Sequence, residues 1–274
     1  MTWNRVLHTN NVVLHCLATL IAIIAGGCGG GARAYDVGTR YVTADRAEKG
    51  LVVILPGIEG EDKAPRDVRD GLYKAGIPYS LVIYRWGSPI PGLGMLINQT
   101  DVARNRRQGE EIASQIASYQ QKHPTSPVFM VGHSAGGGVT VFALEALGRI
   151  AGAKPIDGAF LLSTSLSADY DLTDALDMTR RGIVNVSNSD DTVLLGAGTG
   201  TFGNVDGGHG DSAGRTGFSR SYERVYERRL TNEEVRRGLG VRGSAHFVTT
   251  NEQLIETYAP AWILSNRWPI PSQR

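Results

Sequence analysis

Cysteine is nearly absent: the 274 residues hold two, Cys16 and Cys28, and both precede residue 35. The remaining chain therefore cannot close an internal disulfide or supply thiolates for a metal centre or a nucleophile. An excess of charge of one sign is also missing. Lys+Arg number 28 against 27 Asp+Glu, a formal net charge of +1, so the balance offers no electrostatic footprint for nucleic acid. There is no internal repeat and no coiled-coil heptad, which excludes solenoid and fibrous architectures. The main apolar run, residues 12–25, is shorter than the roughly 20 residues that span a bilayer comfortably. Metal-ligand spacing is lacking too. The stretch Asp206-Gly207-Gly208-His209-Gly210-Asp211 does not place its carboxylates as a calcium loop does, so no metal is expected.

What is present divides the chain in two. Arg5 and His8 precede the apolar run, and small residues and glycines follow it, the layout of an export signal over residues 1–34. Ala25-Gly26-Gly27-Cys28 resembles the lipobox of bacterial lipoproteins, with Ala25 where Leu or Val is usual. That resemblance implies lipidation of Cys28 and a membrane-anchored protein of the cell envelope. Ala32-Arg33-Ala34 is a competing A-x-A cleavage site that would release a soluble periplasmic or secreted protein.

Residues 35–274 alternate short apolar runs with helical patterns, which predicts an α/β domain with a mostly parallel sheet covered by helices. Strands are expected over 51–55, 80–84, 128–132, 158–162 and 183–186. A short helix is expected over 67–75, a long amphipathic one over 101–122 and another short one over 171–180. Residues 219–239 read as one or two charged helices, the second opened by a Thr231-x-x-Glu234 capping box. A last helix is expected over 251–264, kinked or interrupted by Pro260. Residues 196–218, rich in glycine, threonine, serine and aspartate, break this rhythm and read as a long surface insertion near the active face.

The chemistry concentrates at Gly132-His133-Ser134-Ala135-Gly136, where the apolar run Val128-Phe129-Met130-Val131 meets a helical pattern. This is a G-x-S-x-G nucleophile elbow. A serine on so sharp a strand-to-helix turn needs small residues two positions either side, and the N–H of Ala135 opens the following helix where an oxyanion would form. A serine hydroxyl is a weak nucleophile until an imidazole takes its proton, and that imidazole needs a carboxylate to hold its tautomer. The run Ile183-Val184-Asn185-Val186 leads into Ser187-Asn188-Ser189-Asp190-Asp191-Thr192-Val193. Asp190, in a D-x-x-V arrangement, is favoured there over Asp191 as the acid. Among six histidines, His8 and His15 lie in the export segment, His123 follows a helix and His133 belongs to the elbow. His246, on a loop before the last helix, is favoured as base over His209 in the insertion.

Pro56-Gly57-Ile58-Glu59-Gly60 after the first strand resembles the His-Gly-x loop of α/β-hydrolases, with proline in place of histidine, which makes the N–H of Ile58 the second oxyanion donor. Together these motifs resemble the α/β-hydrolase superfamily over residues 50–262. Tyr84-Arg85-Trp86 through the elbow, and the insertion, look like uncharacterised bacterial members. The resemblance implies an open sheet of about eight strands and hydrolysis of a small-molecule ester through an acyl-enzyme, without cofactor. A serine at the elbow argues against the branches that use aspartate there. The apolar loop over residues 88–97 is the candidate wall of an acyl pocket. Two other readings remain open at this point: amide or peptide hydrolysis, and a non-catalytic binding module on the same scaffold.

Overall fold

The computed structural model describes residues 33–34, 39–58, 63–87, 93–191 and 203–270. The apolar export run, Cys28, Ala32, residues 88–92 of the expected pocket wall and residues 196–202 of the insertion lie outside the described residues. The strands are β1 (Arg33–Ala34), β2 (Leu51–Leu55), β3 (Ser80–Arg85), β4 (Val128–His133), β5 (Gly158–Leu162), β6 (Ile183–Ser187) and β7 (Val225–Arg229). Among the described residues they form one seven-stranded sheet in the order β1-β3-β2-β4-β5-β6-β7; the family resemblance implies about eight. β1 pairs antiparallel with β3, and all other neighbours run parallel. Every residue of β2, β4, β5 and β6 is buried. That is what near-continuous apolar runs produce when both faces of a parallel sheet are covered by helices.

The strand order has one reversal, between β2 and β4. From β2 the chain crosses to β3 on one side and then returns to β4 on the other. In open parallel sheets such a reversal, at the carboxyl ends of the strands, is where ligands bind as a rule. Pro56-Gly57-Ile58 follows β2 and Ser134 follows β4, so both sequence motifs lie at this point.

The helices are α1 (Ala44–Lys49), α2 (Lys63–Lys74), α3 (Leu93–Thr100), α4 (Val102–Lys122), α5 (Ala135–Leu147), α6 (Thr173–Asp177), α7 (Ala213–Thr216), α8 (Asn232–Arg242) and α9 (Glu252–Ile263), with a 3-10 turn at Ala245–Thr250. Asp101 caps α4 by accepting a hydrogen bond from the Arg104 N–H at 2.9 Å, and Ile112, Ala113, Ile116 and Tyr119 form the buried face of that helix. The capping box at α8 is present: Thr231 Oγ1 accepts from the Glu234 N–H at 3.2 Å, and Glu234 Oε2 accepts from the Thr231 N–H at 2.9 Å. α4 packs along α5, and α2 along α9.

Three expectations are corrected. Residues 225–229 form β7 rather than a helix. The strand lies at the sheet edge, where one face stays wet, so its charged residues conceal the strand pattern. Its Glu227, on the exposed side, accepts hydrogen bonds from Asn185 Nδ2 at 2.8 Å and the Phe218 N–H at 2.9 Å. Partial desolvation of its carboxylate raises its pKa above the usual value despite those donors. Of the two outcomes expected at Pro260, a kink or an interruption, the second does not occur: α9 continues to Ile263, and the Leu264 N–H donates to the Pro260 carbonyl at 2.9 Å. The missing N–H of one proline is offset by the buried stripe of Ile255, Tyr258, Ala259, Trp262 and Ile263.

The insertion is the third. Its described part, residues 203–218, is not merely a surface loop. Val205 is fully buried against α5 at Gly138, where an added Cβ would lie 2.1 Å from Val205 Cγ1. Backbone bonds run from Val205 N to Ser165 O at 3.0 Å, from Ala213 N to Leu166 O at 2.8 Å and from Gly214 N to Thr164 O at 2.9 Å. Glycine allows this close approach, which composition alone reads as looseness.

Candidate active site

Ser134 joins β4 to α5 with φ 54° and ψ −125°. A non-glycine residue in that region carries strain of about 1–3 kcal/mol and persists only where its surroundings over-determine it. Here they do. The Ser134 N–H donates to Leu162 O at 3.0 Å, while its carbonyl accepts from the N–H groups of Gly137 at 3.0 Å and Ser165 at 3.1 Å. The flanking glycines are required by space. A Cβ on Gly132 would meet Gly136 O at 2.4 Å, and one on Gly136 would meet Pro56 O at 2.3 Å. The second approach presses the loop after β2 against the first turn of α5, where Ala135 begins the helix and its N–H is among those without an intrahelical partner.

That loop is held by two buried side chains which sequence reasoning did not assign a role. Trp86 Nε1 donates to Pro56 O at 2.7 Å, and Asn98 Nδ2 donates to Ile58 O at 3.0 Å. Asn98 is itself anchored, its carbonyl accepting from Asn105 Nδ2 at 2.8 Å and its Oδ1 from Arg104 Nη1 at 3.2 Å. No local pattern marks either residue, because both act on a loop some 30 and 40 positions earlier in the chain.

The carboxylate partner of His246 is Asp191, not Asp190. His246 Nδ1 lies 2.9 Å from Asp191 Oδ2, and both side chains are buried. Asp190 is exposed. The reason is turn geometry: the Asp191 N–H donates to Asn188 O at 3.0 Å, closing a β-turn with Ser189 and Asp190 at its exposed tip and Asp191 returning to the protein. An ionised carboxylate only accepts, so the shared proton sits on Nδ1 and the His246 Nε2 lone pair is left to act as a base. His209, the other loop candidate, is exposed.

His133, set aside as the variable residue of the elbow, contributes to the site. Its ring lies 4.7 Å from that of His246 and 5.4 Å from that of Phe247. Its Nε2 donates to the His246 carbonyl at 3.3 Å, since a carbonyl only accepts. The residue before Ser134 thereby holds the backbone of His246, making elbow and histidine loop neighbours. A second tie joins the hydroxyls of Thr249, in the 3-10 turn, and Ser163 at 3.0 Å, with Ser163 at a positive φ of 44°. Among the described residues no group of three or more His, Cys, Asp or Glu side chains is placed to hold a metal ion.

No family model matches the chain, and no curated protein does. Among solved structures it is similar to Aspergillus fumigatus lipase B, at 14% identity and a TM-score of 0.54 over 89% of this chain and 58% of that one. The chain thus spans little more than half the length of that lipase. A poly(3-hydroxybutyrate) depolymerase from Bordetella parapertussis matches at 14% identity and TM-score 0.44, over 83% of this chain and 94% of the other. An α/β serine hydrolase without a lid from Xanthomonas campestris matches at 10% identity and TM-score 0.46, over 85% and 96%. At such identities the likeness to the lipase is one of fold.

Proposed function

Given a chain with the α/β-hydrolase fold, we propose that it is a serine hydrolase cleaving carboxylic esters through an acyl-enzyme. The observation that carries this reading is the buried Asp191–His246 pair, tied by His133 to the elbow whose next residue is the positive-φ Ser134 at the strand-order switch. In this mechanism Ser134 Oγ attacks the ester carbonyl as His246 Nε2 takes its proton. Asp191 stabilises the imidazolium, and the N–H groups of Ala135 and Ile58 receive the oxyanion. The imidazolium then protonates the departing alcohol, and water activated by the same imidazole releases the acid. Preorganised oxyanion donors contribute heavily to the rate of such reactions, each worth about 10²–10³ in kcat. The close approach of Gly136 to Pro56, which brings the loop after β2 against the first turn of α5, supports assigning the donors to these two segments. A fluorophosphonate probe tests the reading: an adduct mapped to Ser134 supports it, and unlabelled, folded protein would favour a non-catalytic binding module.

The described part of the insertion bears on substrate size. An interfacial lipase lid must swing an apolar face away from the site, yet residues 203–218 are bonded to the loop after β5, with Val205 locked under α5. Short soluble esters such as p-nitrophenyl acetate should therefore turn over faster than emulsified long-chain triglycerides, with no jump in rate once substrate exceeds its solubility. A sharp interfacial activation would contradict this.

We place the mature enzyme on the cell-envelope membrane through lipid on Cys28. Pairing of Arg33–Ala34 with β3 supports processing upstream of that strand, because cleavage after Ala34 would strip β1 from the sheet. One acyl chain binds membranes only marginally, whereas the diacylglycerol of a lipoprotein gives stable attachment. Cys28→Ser should abolish incorporation of a fatty-acid analogue and shift the enzyme to the soluble fraction with its ester turnover unchanged. A mature amino terminus at Tyr35 in the unmodified protein would instead show release at the A-x-A site.

A further inference from the structure

Asn188 is wholly buried and lies in no strand, helix or reacting pair. Its side chain nevertheless joins the two loops that meet in the Asp191–His246 contact. Nδ2 donates to the Ala245 carbonyl at 2.9 Å, the residue immediately before His246, while Oδ1 accepts from the Asp190 N–H at 3.1 Å. Its backbone adds two further ties: the carbonyl accepts from the Asp191 N–H at 3.0 Å, and its N–H donates to Gly214 O at 2.9 Å. One residue therefore spans the acid turn, the histidine loop and the packed insertion.

We infer that Asn188 is a positioning residue that sets the acid turn and the histidine loop at the separation the Asp191–His246 bond requires, an inference that rests on the hydrolase reading above. The chemistry of the side chain is specific to the task. A primary amide offers a donor and an acceptor from one planar group, so it grips a carbonyl on one loop and an N–H on the other at once. Aspartate keeps the shape but replaces the donor with an acceptor facing the Ala245 carbonyl, and alanine keeps neither bond. Without Asn188, His246 is still held by His133 Nε2 and by the Thr249–Ser163 hydroxyl pair. Its loop is then fixed to the elbow and to the end of β5, but it loses the Asn188 tie to the acid turn and keeps the Asp191–His246 bond without that support. The expected failure is a loosened acid–base pair rather than a collapsed site.

The test compares Asn188→Asp and Asn188→Ala with the wild type in the detergent-solubilised full chain, with p-nitrophenyl acetate as substrate and activity normalised to serine titrated by fluorophosphonate. Misplacing a catalytic group by about 1 Å costs on the order of 10² in rate. We expect a loss of that size in kcat with KM within about threefold, because substrate contacts are untouched. A low-field proton resonance from His246 Nδ1–H, present in the wild type, should disappear in both variants. Retention of the resonance with kcat within about twofold of wild type would overturn the assignment. So would failure of both variants to fold, since Asn188 would then be a stability residue. If the wild type neither labels nor turns over ester, the hydrolase reading fails, while the resonance still reports whether Asn188 holds the pair together.

Discussion

Ser134→Ala is expected to lower ester turnover by on the order of 10⁶, the scale on which a hydrolytic triad loses its nucleophile, while the protein stays folded. The substitution removes only the hydroxyl. The backbone strain at φ 54° is held by bonds to Leu162, Gly137 and Ser165, none of which uses the side chain. Far-ultraviolet circular dichroism and the denaturation midpoint should therefore match the wild type as kcat collapses. His246→Ala should be nearly as severe, and the double variant no worse than either single one, because the residues act as a unit. Turnover near wild type for Ser134→Ala would sink the mechanism.

The adjacent aspartates should separate sharply. Asp191→Asn is expected to cost about 10⁴ in kcat, since an amide in place of the carboxylate can donate to His246 and turn the imidazole to the wrong tautomer. Asp190→Asn should change kcat by no more than a few fold, because that side chain is exposed at the tip of the turn and, among the described residues, it is its backbone N–H that is engaged, with Asn188 Oδ1. Steady-state kinetics on a soluble ester decide between them. The reverse order of effects would restore Asp190 as the acid.

These two residues mark the boundary of what could be read without coordinates. The Ser134 elbow was legible because its requirement is local: glycines two positions either side, a strand before and a helix after. The crowding of Gly132 and Gly136 against Gly136 O and Pro56 O is the physical content of that pattern. The inner strands were legible for a similar reason, since burial on both faces leaves only apolar residues over Leu51–Leu55 and Gly158–Leu162. β7 was not. At an edge with one wet face, Glu227 and the arginines beside it carry no strand signature, and only pairing with β6 makes them a strand.

The choice between Asp190 and Asp191 belongs to the same class of question. Both follow the same strand, and a D-x-x-V spacing favours Asp190, which does not meet His246. What decides is the turn closed on Asn188 and the presence of His246 55 positions away. The same holds for Asn98, Trp86 and His133, whose partners lie 40, 30 and 113 positions distant. The insertion changed character for this reason also: its glycines signal flexibility in isolation, and become the means of close packing once α5 and the loop after β5 stand against them. From the sequence alone came the fold class, the strained elbow at Ser134 and the short range of chain holding the carboxylate that meets His246. The tertiary structure decided which carboxylate meets the imidazole and what holds the pair, because those contacts are made between loops that no local pattern relates.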